Sequence, residues 1–169
     1  MENDPPHRVA RYLARAGLAD PATVTITPGP SPLFDPLLTA PFAFYQAVPR
    51  GHAHAHDPPL CLMLDARTGA VRHRDPTAFA DVAHVLDLAR RPDRFTPDEW
   101  LVMAYVLHRG EAPTLAFGPA DADPAVTAPR LDKHGDGSLA LTGWTLHDHG
   151  RRATAHHITV AVDGTVAMT

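Results

Sequence analysis

The chain has 169 residues, a formal net charge of -4 at neutral pH and a single cysteine. This length suits one domain of ordinary size, and a weakly acidic chain without a basic run gives no electrostatic support for nucleic-acid or anionic-membrane binding. No apolar run approaches the ~20 residues of a membrane helix, and the polar start MENDPPHR has no secretory h-region. We therefore expect a cytoplasmic protein. The 18 prolines, with many alanines, indicate long ordered loops and a GC-rich bacterial genome.

The N-terminal part of the chain predicts a helix and two strands. Asp4-Pro5-Pro6 is a helix-start signal, and Gly17 is a favourable stop. A β-branched run then favours a strand, whereas the next apolar stretch is interrupted by prolines and is expected to cross the core as a loop. The predicted elements are a helix from 4 to 17, a strand over 23–27, a loop over 33–41 and a strand over 42–48.

The segment Leu60–Leu88 reads as strand, turn, strand and helix, and it organises the predicted fold. Leu60–Leu64 is apolar on both faces, as in the central strand of a sheet. Asp65 and Gly69 provide turn chemistry, because Asp accepts backbone hydrogen bonds and Gly tolerates a positive φ. Asp75-Pro76 then opens a helix, with Asp as its N-cap. The elements after the turn are an edge strand over 70–74 and a helix with the buried stripe Phe79, Val82, Ala83, Leu86 and Ala89.

A second helix begins at Thr96-Pro97-Asp98-Glu99, which is the pattern of a capping box. The Thr96 side chain can accept a hydrogen bond from the backbone of Glu99, while the Glu99 side chain reaches back. Gly110 is a favourable end for this helix. The features expected from here on are the buried stripe Trp100, Met103, Ala104 and Leu107, a short strand over 115–117, a loop over 119–137, strands over 138–146 and 153–162, and a hairpin at Asp163-Gly164 before a last strand from Val166.

These elements predict an α+β protein with a mostly antiparallel sheet on which about three helices pack, in a single domain, 1–169. The sub-halves 1–92 and 93–169 look alike, since each has a helix before its strands and similar hairpin residues. The spacings between matching segments disagree, so a true duplication needs insertions. Common hairpin chemistry is the other interpretation, and both stay open.

Three histidines alternate in the segment before the central strand, at His52, His54 and His56, and Asp57 follows them. In an extended segment these imidazoles lie on one face with neighbours ~6.6 Å apart. Two of them can then chelate one metal ion, and Asp57 or a distant residue can complete the ligand shell. Imidazole favours zinc, copper, iron or nickel. The alternative is a histidine-rich surface loop, because glycine and prolines flank the segment.

The C-terminal hairpin carries a second histidine cluster. His147 and His149 flank its turn, and His156 shares a strand face with apolar residues. Together with the first cluster, these residues would make a three-histidine site between strands if the fold brings them together. Exposed turn residues and one half-buried histidine are the alternative. The predicted metal ligands are His52, His54, His56, Asp57, His147 and His149.

Other catalytic systems receive little support from the sequence. A Gly-x-Ser-x-Gly elbow and a phosphate-cradling glycine motif are both absent. Cys61 lies within the predicted buried strand and is interpreted as a small buried hydrophobe rather than a nucleophile. A cofactor-free cyclase or isomerase stays open, in which His156 or Asp148 acts as acid or base inside a closed apolar cavity of an α+β cone.

Three segments carry a family resemblance: RYLARAGL at 11–18, LMLDARTGAV at 62–71 and PTAF at 76–79. In this order they resemble the first part of bacterial SUKH-type immunity proteins. In that family a short helix ending in Gly-Leu precedes a sheet, and a strand–turn–strand leads into a helix with an early Phe. The resemblance covers about residues 8–90, and the strand-rich second half is more similar to cystatin-like immunity folds. Both families imply a protein that binds and neutralises a partner protein, and neither implies catalytic residues.

The sequence therefore favours a non-enzymatic protein-binding module, immunity-like or regulatory, that contacts another protein through a sheet face or proline-rich loops. The alternative is a metal-binding protein or small metal-dependent enzyme that uses the first histidine cluster and a divalent transition metal. The expected partner is a protein rather than nucleic acid or a membrane. The oligomeric state stays open.

Overall fold

The computed structural model of the chain describes residues 4–29, 34–51, 58–118, 125–147 and 151–169. These residues form helices and antiparallel sheets, so the predicted α+β class is confirmed. The similarity of the sub-halves 1–92 and 93–169 stays a prediction. The chain groups into two compact units with other boundaries. Unit 1 comprises Met1–Asp75 and Val106–Ala112, and unit 2 comprises Pro76–Tyr105 and Pro113–Thr169.

Unit 1 is built on a four-stranded antiparallel sheet. Its main elements in chain order are α1 (Pro5–Arg15), β1 (Val24–Pro28), α2 (Pro36–Thr39), β2 (Phe42–Pro49), β3 (Leu60–Asp65) and β4 (Val71–Arg72). The strands lie side by side in the order β1-β2-β3-β4. In the central pair Tyr45 lies opposite Leu62, and Phe44 lies opposite Met63.

Helix α1 packs on one face of this sheet. Val9 and Leu13 lie four residues apart on the helix and are fully buried in a cluster that includes Leu62. Leu62 and Met63 point to opposite faces of β3, and both are fully buried. The prediction of a central strand that is buried on both sides is therefore confirmed. Burying one such leucine stabilises the fold by about 1.5–3 kcal/mol.

Two segments of unit 1 differ from the prediction. The expected loop over 33–41 contains α2, which Asp35 caps by accepting a hydrogen bond of 2.8 Å from the Leu37 amide. A proline in the first turn of a helix costs no hydrogen bond, because the N–H that it lacks would have no partner within the helix. The proline that suggested a loop is therefore compatible with this helix. The predicted edge strand shortens to β4, because Arg74 adopts a left-handed φ of 49° that a strand cannot accommodate.

Unit 2 is built on a five-stranded antiparallel sheet. Its elements are α3 (Ala78–Leu86), the first part of α4 (Pro97–Arg109), β5 (Leu115–Ala116), β6 (Arg130–Lys133), β7 (Leu139–His147), β8 (Arg152–Val160) and β9 (Val166–Met168). β9 pairs with β8, and both β5 and β6 pair with β7. The expected loop over 119–137 is therefore wrong at β6, whose polar sequence RLDK carries no strand pattern of its own and forms a strand by pairing with β7.

The two longer helices of this part of the chain differ in how well they were predicted. Thr96 and Glu99 form the expected capping box of α4: the Thr96 amide donates to the Glu99 carboxylate at 2.8 Å, and the Glu99 amide donates to the Thr96 hydroxyl at 3.5 Å. Helix α3 is shorter than expected. Thr77 rather than Asp75 occupies its N-cap, and Asp87 ends it with a left-handed φ of 53°.

Helix α4 is apolar around its whole circumference in its middle part. Every residue over 100–107 is buried, so the predicted stripe is only a part of its buried surface. Among the described residues, no helix combines the length and the apolar character needed to span a membrane.

Candidate functional site

Of the predicted metal ligands, His147 lies within the described residues, at the end of β7. The others, His52, His54, His56, Asp57 and His149, lie outside those residues. Within the described part of the chain, no group of three or more His, Cys, Asp or Glu side chains is arranged to hold a metal ion. The metal site therefore stays a prediction.

His147 belongs to a row of polar side chains on one face of the unit 2 sheet. Thr145 shares that face because side chains alternate along β7, and the pairing of β7 with β8 brings His156 to the same face, opposite Gly143. The Thr145 Oγ1 lies 2.7 Å from the Nε2 of His156 and 3.1 Å from the Nε2 of His147. The ring of Tyr105 meets His156 edge-on, with centroids 5.4 Å apart. We name the three hydrogen-bonded residues His147, Thr145 and His156 the His–Thr–His chain.

The two hydrogen bonds of the His–Thr–His chain meet at a single hydroxyl. Thr145 carries one hydroxyl proton, so it can donate to at most one of the two imidazole nitrogens and accepts from the N–H of a ring to which it does not donate. Thr145 is 1% exposed and His156 is 6% exposed, so the hydrogen bonds satisfy groups that water cannot reach. A hydroxyl buried to this degree cannot meet a substrate. The His–Thr–His chain therefore fixes the orientation of its two imidazole rings and does not supply a nucleophile.

The acid–base hypothesis for His156 requires an apolar cavity beside that ring. Unit 2 has a cavity of about 170 Å³ whose lining includes His84, Asp87 and Trp100. The described residues that line it include no member of the His–Thr–His chain. Asp148, the other predicted acid or base, lies outside the described residues. The cyclase or isomerase reading stays a hypothesis, and this cavity gives it no support.

The single cysteine, Cys61, is buried on β3. Burial, and then the negative charge of Glu111, raise the pKa of the Cys61 thiol to about 12. At neutral pH its sulfur is therefore protonated, whereas nucleophilic attack and metal binding need the thiolate. This geometry agrees with the interpretation of Cys61 as a small buried hydrophobe.

The described surface of unit 1 contains an apolar groove of about 470 Å³. This volume falls in the range of ~300–1,000 Å³ that is typical of ligand pockets. The rings of Phe34 and Phe44 stack beside it with centroids 4.9 Å apart and an interplanar angle of 9°. We name it the aromatic groove, and the rings that line it are Pro28, Phe34, Pro36, Pro41, Phe42, Phe44 and Tyr45.

Local structure explains how the aromatic groove forms. Phe42 and Phe44 stand two residues apart on β2 and therefore on one face, as the sequence predicts. The Asp35 cap begins α2 directly after Phe34 and places Pro36 in the groove wall. The next residue, Leu37, is 83% exposed. A large apolar side chain with this exposure beside an apolar groove is typical of an interaction surface.

The turn between β3 and β4 places the positively charged side chain of Arg67 beside the aromatic groove. The Asp65 carboxylate accepts a hydrogen bond from the Arg67 amide at 2.9 Å and two from its guanidinium, at 3.1 and 2.9 Å. The guanidinium carbon lies 5.4 Å from the ring centroid of Phe42. The Arg67 side-chain hydrogen bond lowers the pKa of Asp65, against burial, which raises it. Asp65 thus has the structural role that the sequence predicts, and it orients Arg67.

Sequence reasoning did not identify the aromatic groove. The proline-punctuated residues before β2 predicted a loop over the core, and a short helix stands there instead. The placement of Phe42 and Phe44 on one strand face was the available signal. The stacking of Phe34 on Phe44 depends on tertiary packing, which no local pattern specifies.

Comparisons with protein-family models, with curated proteins and with solved structures find no match to this chain. The resemblance of residues 8–90 to SUKH-type immunity proteins therefore stays a prediction. The basis for a function is the geometry of the described residues.

Proposed function

We propose that the protein is a non-enzymatic binding protein, regulatory or immunity-like, that holds an apolar segment of another protein in the aromatic groove. A bacterial cytoplasm is its expected setting. The observation that carries the proposal is the groove itself, in which aromatic and proline rings line a surface depression of about 470 Å³.

The chemistry of the groove favours an extended, proline-containing segment. Proline-rich segments dock in aromatic-lined grooves because their extended conformation is already formed and little entropy is lost on binding. β2 is paired with β1 on one side and β3 on the other, so its backbone is not available for strand addition. Recognition must therefore come from side chains, and the rings beside Phe34 and Phe44 provide them.

Arg67 provides a polar contact at the edge of this apolar site. Its side chain is 47% exposed, while its partner Asp65 is only 3% exposed. The carboxylate thus fixes a guanidinium that still meets solvent. A ligand backbone carbonyl is the acceptor that such a donor fits, and this contact would set the direction of the bound segment.

The described groups with catalytic potential support a non-enzymatic role. The Cys61 thiol is protonated at neutral pH because burial raises its pKa to about 12. The carboxylate of Asp65 is occupied by Arg67, and the hydroxyl of Thr145 is buried between two imidazoles. Each of these groups has a structural role that accounts for its environment.

Peptide selection tests the proposal. Short peptides selected from a displayed random library against the wild-type protein should be enriched in proline and large apolar residues. Ala66 is exposed and lines the groove, so Ala66→Glu should weaken the selected peptides about tenfold or more by placing a charge against an apolar ligand. Ala155→Glu, at an exposed position of β8 in unit 2, makes the same charge change and should leave affinity unchanged.

Three results would contradict the proposal. The first is a library that yields no enriched peptides. The second is binding of the selected peptides to the Ala66→Glu variant as tight as to the wild type. The third is uptake of small apolar molecules by the groove in place of peptides. Thermal unfolding of both variants shows whether each retains the native fold.

A further inference from the structure

Leu37 on α2 is the most exposed large apolar side chain of the described residues. It is 83% exposed, whereas Val162 and Phe117, the next in order, are 59% and 53% exposed. A leucine in this position contributes almost none of its apolar surface to the core. A single exposed apolar residue is common on protein surfaces, so the surroundings of Leu37 decide whether it has a role.

The helix that carries Leu37 is also a wall of the aromatic groove. Pro36, Thr39 and Ala40 line the groove, and residues at these spacings share one face of a helix. Leu37 directly follows Pro36 and stands about 100° round the helix from it, because a helix has 3.6 residues per turn. The leucine therefore lies beside the groove, outside its described lining. A bound chain that leaves the groove across α2 meets this side chain.

Hydrogen bonds fix the backbone that presents Leu37. The Asp35 carboxylate accepts a hydrogen bond from the Leu37 amide at 2.8 Å, and the Asp35 carbonyl accepts one from the Leu38 amide at 3.0 Å. Thr39, the last residue of α2, is buried and anchors the helix in the fold. An apolar side chain on an ordered backbone loses little conformational freedom when a ligand covers it, so more of the gain from burial appears as affinity.

We propose that Leu37 is a second contact for the segment that the aromatic groove holds. The bound segment places its proline-containing part in the groove, crosses α2 and packs one large apolar side chain on Leu37. This contact removes two apolar side chains from water, which is favourable in proportion to the area buried. The inference rests on the proposed function, and it adds a requirement to it: the segment carries a large apolar residue at a fixed position outside its proline-containing part.

Peptide selection against two forms of the protein tests the inference. Peptides selected on the wild type should be enriched in proline and, at a fixed spacing from it, in a large apolar residue. Peptides selected on Leu37→Ala should keep the enrichment in proline and lose the enrichment at the apolar position. The variant should keep the fold, because Leu37 is exposed and alanine is favourable in a helix. Thermal unfolding verifies this.

The affinity of one peptide selected on the wild type gives a second readout. Leu37→Ala should weaken this peptide about fivefold or more, because it removes most of the apolar surface that the contact buries. Val162→Ala shortens an exposed apolar side chain of unit 2 and should stay within about twofold of the wild type. Alanine in place of the apolar residue of the peptide should weaken binding to the wild type similarly and have little further effect on Leu37→Ala, since side chains in contact are coupled.

Two results would overturn the inference and leave the proposed function in place. One is a peptide that Ala66→Glu weakens and Leu37→Ala does not. The other is additive losses for Leu37→Ala and the peptide substitution, which would show that the two side chains do not touch. A peptide that neither Ala66→Glu nor Leu37→Ala weakens would contradict both proposals. Self-association of the wild type that Leu37→Ala abolishes would assign the leucine to a second copy of the chain and would also overturn the inference.

Discussion

Unit 2 keeps its distinctive polar groups in the interior, whereas unit 1 places its recognition groups at the surface. In unit 2 the Thr145 hydroxyl links two imidazoles and the Trp100 indole donates to the Pro92 carbonyl at 3.0 Å. In unit 1 the aromatic groove reaches the turn that follows Asp65. Substitutions in the two units should therefore be assessed by different measurements, stability in unit 2 and ligand binding in unit 1.

The largest effect is expected at Trp100. Its side chain is fully buried, and its ring lies 5.9 Å from that of Phe79 and 6.0 Å from that of Phe95, centroid to centroid. Trp100→Ala should lower the free energy of unfolding by about 3–5 kcal/mol, because it removes this packing and leaves a cavity. Urea unfolding followed by circular dichroism measures the change. A loss below about 1 kcal/mol would show that the interior of unit 2 does not depend on this residue.

The His–Thr–His chain gives the next largest effect. Thr145→Val keeps the shape of the side chain but leaves the Nε2 of the buried His156 without the Thr145 hydroxyl, at a cost of about 1–3 kcal/mol. Thr145→Ser is the matched control, since it keeps the hydroxyl and removes one methyl group. The serine variant should be the more stable of the two in urea unfolding. The reverse order would mean that the hydroxyl contributes nothing to stability.

Asp65 of unit 1 is buried, but it orients the exposed side chain of Arg67. Its substitution should therefore affect stability as well as the surface beside the aromatic groove. Asp65→Asn should lower the stability by about 1–2 kcal/mol at neutral pH through the loss of a charge-assisted hydrogen bond. The folded-state pKa of Asp65 is lowered, so its contribution is present above the unfolded pKa of about 3.9 and is lost as pH falls through the folded pKa.

Unfolding curves recorded as a function of pH check the direction of this pH dependence. The stability difference between wild type and Asp65→Asn should be constant from about pH 5 upward and should shrink below about pH 4. A difference that grows as the solution becomes more acidic is incompatible with a lowered pKa at this carboxylate.

The smallest change in stability is expected at the aromatic groove. Ala66→Glu alters an exposed position there. It should change the free energy of unfolding by less than about 0.5 kcal/mol, although it is expected to weaken peptide binding. If this variant unfolds at low denaturant, the contrast between the two units breaks down at the groove.

Local patterns account for the parts of the fold that the sequence predicts. A short run that is apolar on both faces indicates β3, the Thr96–Glu99 pattern indicates the start of α4, and Asp163-Gly164 indicates the last hairpin. By contrast, β6 has no pattern of its own and exists because β7 pairs with it. The end of α3 at Asp87 rests on a left-handed residue that is not glycine, which composition does not predict.

The aromatic groove shows why a site is harder to predict than a helix or a strand. Phe34 and Phe44 become a stacked pair only when α2 and β2 pack. Each half of the groove is a local feature, and the fold alone brings the halves together.

Resonance mapping of a selected peptide on the ¹⁵N-labelled protein locates the surface that binds it. The proposal predicts that amide shifts cluster on α2, on the first residues of β2 and at Ala66, the described residues that line the aromatic groove. The amides of β7 and β8 in unit 2 should stay in place. Shifts centred on β7 and β8, with none in the groove, would contradict the assignment of the aromatic groove as the site that binds a partner protein.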